Sequence, residues 1–425
     1  GGDLLGNAMA PPPSDVTNPA LGAEVVAIAA TDEVFAALKA NGAVAAWGTD
    51  FADTDYSPPS DVANPSPGAE VVGIAATGTA FAALKADGSV SVWGRSDDGG
   101  SHAPDDVTNP APGTEVVAIA STARTFVALK RYTPAVIASY PEWAQPTGRR
   151  NPSFTFNECQ NGCSVAAWGD GEYGGSDVPS DVTNPQPGEK VVAIAATEAA
   201  FAALKNDGSV SAWGDADSGG SGVPADVTSP APGKEVVGVS STQRAFAALK
   251  KDGSVSAWGH ANYGGSGVPS DVANPGTTSK VVVVASTHYA FAALKKDGSV
   301  SVWGHPFYGG AGVPADVATP TTTKEVVSVA STERAFAALK RDGTVSVWGD
   351  ADYGGSGVPV GTTTVVSIAA TSIGFAALNQ DGSVVAWGGV GGVGDISSVP
   401  VLAARVVEIA ATKRAFAVLQ ADGSV

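Results

Sequence analysis

Cysteine is nearly missing from this chain: two in 425 residues, Cys159 and Cys163. That excludes the disulfide framework that staples small secreted domains, and it excludes a four-ligand cysteine zinc site. The pair either closes a local disulfide or stands as two free thiols, so the compartment stays open. Positive charge is scarce as well, with 24 Lys and Arg against 42 Asp and Glu, a net charge of −18. Binding to nucleic acid draws on clustered Lys and Arg, so no nucleic-acid partner is expected. An acidic surface favours solubility and basic partners instead. No apolar run reaches the roughly 18 residues of a membrane span, so none is expected. Histidine is limited to His102, His260, His288 and His305, all in variable loops. The Gly-rich loops lack the Lys-Ser/Thr of a phosphate cradle. With no nucleophile–base pattern either, the expectation is no catalytic residue, no enzyme activity, no cofactor and no metal.

What the chain has in abundance is itself. A unit such as Glu70-Val-Val-Gly-Ile-Ala-Ala-Thr-Gly-Thr-Ala-Phe-Ala-Ala-Leu-Lys-Ala-Asp-Gly-Ser-Val-Ser-Val-Trp-Gly94 occurs nine times. Its closing Trp recurs at Trp47, Trp93, Trp168, Trp213, Trp258, Trp303, Trp348 and Trp387, mostly 45 residues apart. A period of this size signals a propeller, a solenoid or an array. Val71–Ala76, Phe81–Lys85 and Val90–Trp93 are β-rich runs. The last two are joined by Asp87-Gly88, a strong hairpin signal. Alternation puts Val72, Ile74 and Ala76 on one face and Val71, Gly73 and Ala75 on the other. Neither face is charged, so sheets covered on both sides are expected. The fold class is therefore all-β: a β-propeller of antiparallel blades of about 45 residues, nine repeats in number. A closed ring, an open spiral and seven blades with extra units all fit. The Val-Pro-x-Asp-Val text between units, as in Val223–Val227, reads as a connector adding a short edge segment, since Pro is barred from a central strand.

The single repeat body spans 1–425. Residues 1–23 read as the tail of a preceding repeat and 405–425 as an incomplete last one, so both ends look like cuts. An insertion at 131–160 interrupts the third repeat. It is aromatic and basic through Tyr132, Tyr140, Trp143, Arg149, Arg150, Phe154 and Phe156. A functional loop, a tolerated excursion and retained non-coding text are the readings open for it.

The pattern Val-Val-x-Ile-Ala, then Phe-Ala-Ala-Leu-Lys-x-Asp-Gly-Ser-Val-x-x-Trp-Gly, resembles the regulator of chromosome condensation repeat. In its short period and Val-Pro connector it looks most like the bacterial-type branch that includes a secreted β-lactamase inhibitor protein. The resemblance implies propeller blades, commonly seven, with no enzyme activity of their own. Its members include exchange factors, inhibitors, photoreceptors and ubiquitin-ligase adaptors, so the fold does not name the function. The family's Gly-x-x-His and Gly-Gln-Leu-Gly text is replaced here by Thr77–Ala80 and Gly219-Gly-Ser-Gly222.

Function must lie where the copies differ. The three positions before the repeated Phe vary most, and on one rim they would carry Arg124, Arg244, Tyr289, Arg334 and Arg414. Arg and Tyr are common interface anchors, so these five are the candidate partner-binding residues, against a bland reading of solvated loops. Tyr173, Tyr263, Tyr308 and Tyr353 follow their Trp by five residues and read as loop anchors in a stripe on the opposite side. Asp215-x-Asp217 and Asp350-x-Asp352 faintly resemble a calcium loop but lack its third acid and distal Glu. His260 and His305 take the first Asp position in other copies. The function expected is a non-enzymatic scaffold binding a protein partner through one rim. The alternative is a structural repeat segment of a larger surface or extracellular assembly.

Overall fold

The computed structural model describes residues 12–32, 34–48, 56–131, 163–186, 188–359, 362, 364–389, 405–411 and 416–421. The protein is all-β, a β-propeller-type fold of small antiparallel blades. Among the described residues, eight repeats each supply three strands in simple meander order and the ninth supplies two. The residues fall into two compact units, one holding repeats 1–4 and ending at Ser221, the other holding repeats 5–9 from Gly222. The insertion lies outside the described residues beyond Arg131, as does Cys159. Cys163, which opens the third strand of repeat 3, is disulfide-bonded.

Repeat 5 shows the blade. Strands Val236–Ser241, Ala245–Lys250 and Val255–Gly259 pair in sequence order. The Asp252-Gly253 turn joins the last two, with Gly253 at φ 86°, where a residue bearing Cβ would be strained. Asp252 Oδ1 accepts from both the backbone N and Oγ of Ser254, which closes the turn. Phe246 lies opposite Trp258, and their rings stack at 5.2 Å. The middle strand is the buried one: Ala245, Phe246, Ala247 and Ala248 are fully covered. Small alanines on both faces let neighbouring sheets approach closely.

The first strand departs from the expected alternation. Every repeat carries a bulge after its opening Val: in repeat 2, Val71 pairs with Lys85 and Gly73 with Leu84. The extra residue, Val72, is turned outward and is 58% exposed. Val327, Val366 and Val407 are exposed at the same position. A bulge inserts one unpaired residue and shifts the two-residue period, so in these repeats the first strand is not covered on both faces, whereas in repeat 3 Val117 at the same position is buried.

The connectors form a helix turn rather than an edge segment. Ser60–Ala63, Asp105–Thr108, Ser180–Thr183, Ala225–Thr228, Ser270–Ala273 and Ala315–Ala318 are each one α-turn, and Ser14–Thr17 is another. Proline precedes each turn. Each ends on a residue followed by a second Pro, which forces that residue out of the α region: Asn64, before Pro65, sits at φ −139°, ψ 73°. Every such turn but Ser14–Thr17 buries one valine, such as Val62, Val227 or Val317. Its Asp pairs with the Lys that ends the middle strand, as Asp226 does with Lys250 and Asp271 with Lys295. A third-strand Ser donates to the same carboxylate, Ser256 to Asp226 at 2.8 Å.

Within each unit the repeats are stitched to their neighbours. Val281 N donates to Gly253 O at 3.1 Å, and Val71 N to Gly42 O likewise. Trp303 Nε1 donates to Gly264 O of the preceding loop at 2.9 Å, as Trp213 does to Gly174. Gly264 sits at φ +90°, and a Cβ there would lie 2.7 Å from Phe291 Cδ2. Glycine is therefore required both for conformation and for space.

Candidate interaction surface

A three-strand meander sorts its loops by parity. The turn between the first and second strands and the exit of the third strand share one end of the sheet, while the Asp-Gly turn lies at the other. The variable positions before Phe and the tyrosines after Trp-Gly therefore occupy the same rim. The sequence reading that set the tyrosines on the opposite side is corrected by ring contacts. The Arg124 guanidinium lies 5.2 Å from the Tyr173 ring, and that of Arg244 lies 5.8 Å from Tyr263.

A threonine absent from the candidate list aligns the two loops. Thr332 Oγ1 accepts from Ala335 N at 3.0 Å and donates to Tyr353 O at 3.0 Å. Thr242 reaches Tyr263 O and Thr287 reaches Tyr308 O in the same way. This threonine recurs in the repeat, at the start of the turn that precedes Phe. Its hydroxyl can take part in two hydrogen bonds at once, which is the signal that could have found it.

Backbone bonds then line up the pre-Phe turns of successive repeats. In the first unit Asp32 N donates to Gly78 O, Gly78 N to Ala123 O and Ala123 N to Glu198 O. In the second, Gln243 N donates to His288 O, His288 N to Glu333 O and Glu333 N to Ser372 O. Among the described residues the belt expected from the sequence thus runs unbroken through repeats 1–4 in the first unit and 5–8 in the second. Of its candidates, Arg244, Tyr289 and Arg334 come together in the second unit. Arg124 belongs to the first, and Arg414 lies outside the described residues.

In the second unit the belt becomes an aromatic strip. Tyr289 sits between the post-Trp tyrosines of its own repeat and the one before, 4.6 Å from Tyr308 and 5.0 Å from Tyr263. Arg334 repeats the pattern one step on, 4.9 Å from Tyr308 and 4.6 Å from Tyr353. Cation–π contacts of this kind contribute roughly 0.5–1 kcal/mol each where water reaches them. Arg334 also faces Asp350 at 3.7 Å. Burial lowers the affinity of its guanidinium for the proton, but Tyr353, Tyr289, Tyr308 and Asp350 reverse this and raise it overall. Burial pushes the Tyr289 hydroxyl pKa up. None of the Tyr263, Tyr289, Tyr308 and Tyr353 hydroxyls hydrogen-bonds to a described residue. In the first unit Arg124 is held between Asp98 at 3.8 Å and Asp170 at 3.4 Å, tying the loops of repeats 2 and 3.

Repeat 6 differs most. His305-Pro306-Phe307-Tyr308 replaces the usual polar loop, and Phe307 is 78% exposed. The equivalent residues are Asp97, Glu172, Asp217, Asn262 and Asp352. Sequence reasoning passed over Phe307 because it lies one residue from the repeated tyrosine.

The acidic loops resembling calcium sites do a local job. Asp350 Oδ1 accepts from Asp352 N at 3.0 Å, and Asp215 Oδ2 accepts from Ser218 Oγ at 2.6 Å. They cap a single 3-10 turn, and His260 Nδ1 does the same for Asn262 N at 3.2 Å. That shared acceptor role explains how His260 stands in for Asp; His305, followed by Pro306, makes no such bond. Among the described residues no three His, Cys, Asp or Glu are grouped to hold a metal ion, and no helix is long and apolar enough to cross a membrane.

No family model matches the chain, and no curated protein does. Among solved structures it is similar to Prp20p of Saccharomyces cerevisiae, described with its binding to Gsp1p and histones. The identity is 19%, over 75% of this chain and 81% of that one, with a TM-score of 0.39. It is similar to the ectodomain of the Physcomitrella patens receptor kinase CR4 at 15% identity, over 79% and 76%, with a TM-score of 0.36. The computationally designed Ika8 protein shows 13% identity over 86% and 96%, with a TM-score of 0.33.

Proposed function

We propose that the protein is a non-catalytic scaffold that binds a protein partner through this rim, anchored at repeat 6. The observation that carries the reading is the exposed Phe307, which meets His305 at 5.9 Å and through it the strip of Tyr263, Tyr289, Tyr308, Arg334 and Tyr353. A lone exposed apolar residue needs no explanation. An exposed Phe linked through a His ring to packed Tyr rings and an Arg has the composition of an interface centre. The strip is preorganised by the threonine bonds and the backbone ladder, so little side-chain entropy is lost on binding.

The test is capture by the immobilised full chain at pH 7.5, comparing wild type with Phe307→Ala and with Tyr289→Ala. Phe307→Ala removes little packing, so its melting temperature should match wild type while the captured partner is lost. A captured set identical for all three proteins overturns the assignment. Arg334 is a poorer probe. It is stacked on three rings and paired with Asp350, so its removal also costs stability.

A further inference from the structure

Three of the four histidines in the chain lie on this one strip. His260 meets Tyr263 edge-on at 5.1 Å, His288 lies 6.2 Å from Tyr289, and His305 stacks on Tyr308 at 4.5 Å. His305 is also 6.1 Å from Tyr289. Two of them occupy the cap position that is Asp in repeats 3, 4 and 7. At His260 the exchange matters because an Asp cap and a His cap lose their acceptor at different acidities; His305 makes no cap bond and acts through its stacking. An ordinary carboxylate keeps its charge down to about pH 4, whereas an imidazole changes charge between roughly pH 5 and 8.

We propose that the rim is a pH-responsive surface: neutral His260, capping its loop, and neutral His305, stacked on Tyr308, hold the Tyr263–Tyr289–Tyr308 strip together and release it when they gain a proton. The inference rests on the reading of the rim as a binding surface. For His260 the reason is the hydrogen bond itself: Nδ1 accepts from Asn262 N, and a protonated Nδ1 would point a donor at a donor. For His305 the reason is its surroundings. Its Nδ1 is buried with no hydrogen-bond partner, and Tyr308, on which it stacks, also carries the Arg334 cation. A proton on His305 would place a second cation on the ring that already carries Arg334. Arg244 likewise lies over Tyr263, the ring that His260 meets edge-on. His288 is placed differently, with Glu333 Oε2 3.9 Å from its Nδ1.

The sign follows from the bonding. The capped, stacked strip binds neutral His260 and His305, so it is favoured at higher pH and weakened as the pH falls through the imidazole range. Proton resonances of four histidine rings can be assigned with four single variants of the full chain. Between pH 7.5 and 5.5 the ring signals of Tyr263, Tyr289 and Tyr308 should move in step with His260 and His305. In His260→Asp/His305→Asp they should stay still over that interval, while His288→Gln leaves the movement intact. Asp is native at the equivalent positions, so the double variant should fold. Should it fail, His260→Asn, whose amide oxygen can still accept, gives the same test at Tyr263. Tyrosine signals that do not move in wild type, or that still move in the double variant, overturn the proposal. The readout needs no partner, so a failed switch with capture intact at pH 7.5 leaves the rim assignment standing. A working switch with no capture overturns only that assignment.

Discussion

Replacing Asp226 with Ala isolates the recurrent Lys–Asp–Ser clamp. The Lys250 side chain is 4% exposed and that of Asp226 52% exposed. The ammonium donates to Asp226 and, at 2.8 Å, to Ser256 Oγ. Without the carboxylate a buried cation keeps a single neutral acceptor. Breaking a fully buried pair costs about 3–5 kcal/mol, and an exposed pair about 0–1. This pair has one buried and one open partner, and water can enter where the carboxylate stood, which puts the loss at about 2 kcal/mol. The double variant Asp226→Ala/Lys250→Asn should recover more than half of it, because the stranded charge goes too. The chain has already made that exchange. Repeat 8 carries Asn379 and Val385 at the Lys and Ser positions, repeat 9 carries Gln420, and neither connector holds the Asp.

Acid gives an independent readout of the same clamp. Burial alone would raise the Asp226 pKa, but hydrogen bonds from Lys250 and Ser256 outweigh it and hold the carboxyl below its ordinary value. Its folded pKa is lower than its unfolded one. The stabilisation is therefore complete above about pH 4 and fades as the pH falls toward the folded value. Urea unfolding of wild type, single and double variants at pH 7 and pH 3 measures both effects. A single-variant loss under 0.5 kcal/mol at pH 7, or a double variant no better than the single, would refute the reasoning.

Three further outcomes are expected in urea or thermal unfolding. Thr332→Val keeps the shape but leaves Ala335 N and Tyr353 O without the hydroxyl. It should cost about 1–2 kcal/mol, and an unchanged midpoint would show that the threonine does not hold the rim. Gly264→Ala drives a Cβ into Phe291 at a left-handed φ and should cost about 2–4 kcal/mol; a neutral effect would contradict the loop packing. Asp177→Gly should stabilise by about 0.5–1 kcal/mol, since Asp177 holds φ 56° where Gly222, Gly267, Gly312 and Gly357 hold 72–76°. Destabilisation would instead assign the larger share to the Ser176–Asp177 hydrogen bond.

Much of the blade is legible along the chain because its determinants are local. Asp252-Gly253-Ser254 closes its own turn, and Phe246 and Trp258 lie opposite each other across one hairpin. The bulge at Val72 escapes a reading by alternation, since it changes the two-residue period without changing residue type. The connector turn hides as well, because Pro-Ser-Asp-Val is too short to show a helical period. Asp226 and Lys250 stand 24 residues apart, and only their joint loss in repeats 8 and 9 hints at the pair.

The sequence by itself determined the β class, the repeat, the hairpin turns and the list of variable rim positions, all of which rest on contacts within one unit. Only the tertiary structure decided which of those positions meet. Tyr289 touches tyrosines from two repeats, Arg334 lies over three rings, and the tyrosines share a rim with the arginines because a three-strand meander brings its first turn and its exit to one end. Those contacts depend on strand parity and on the packing of one sheet beside the next, and distance along the chain carries neither.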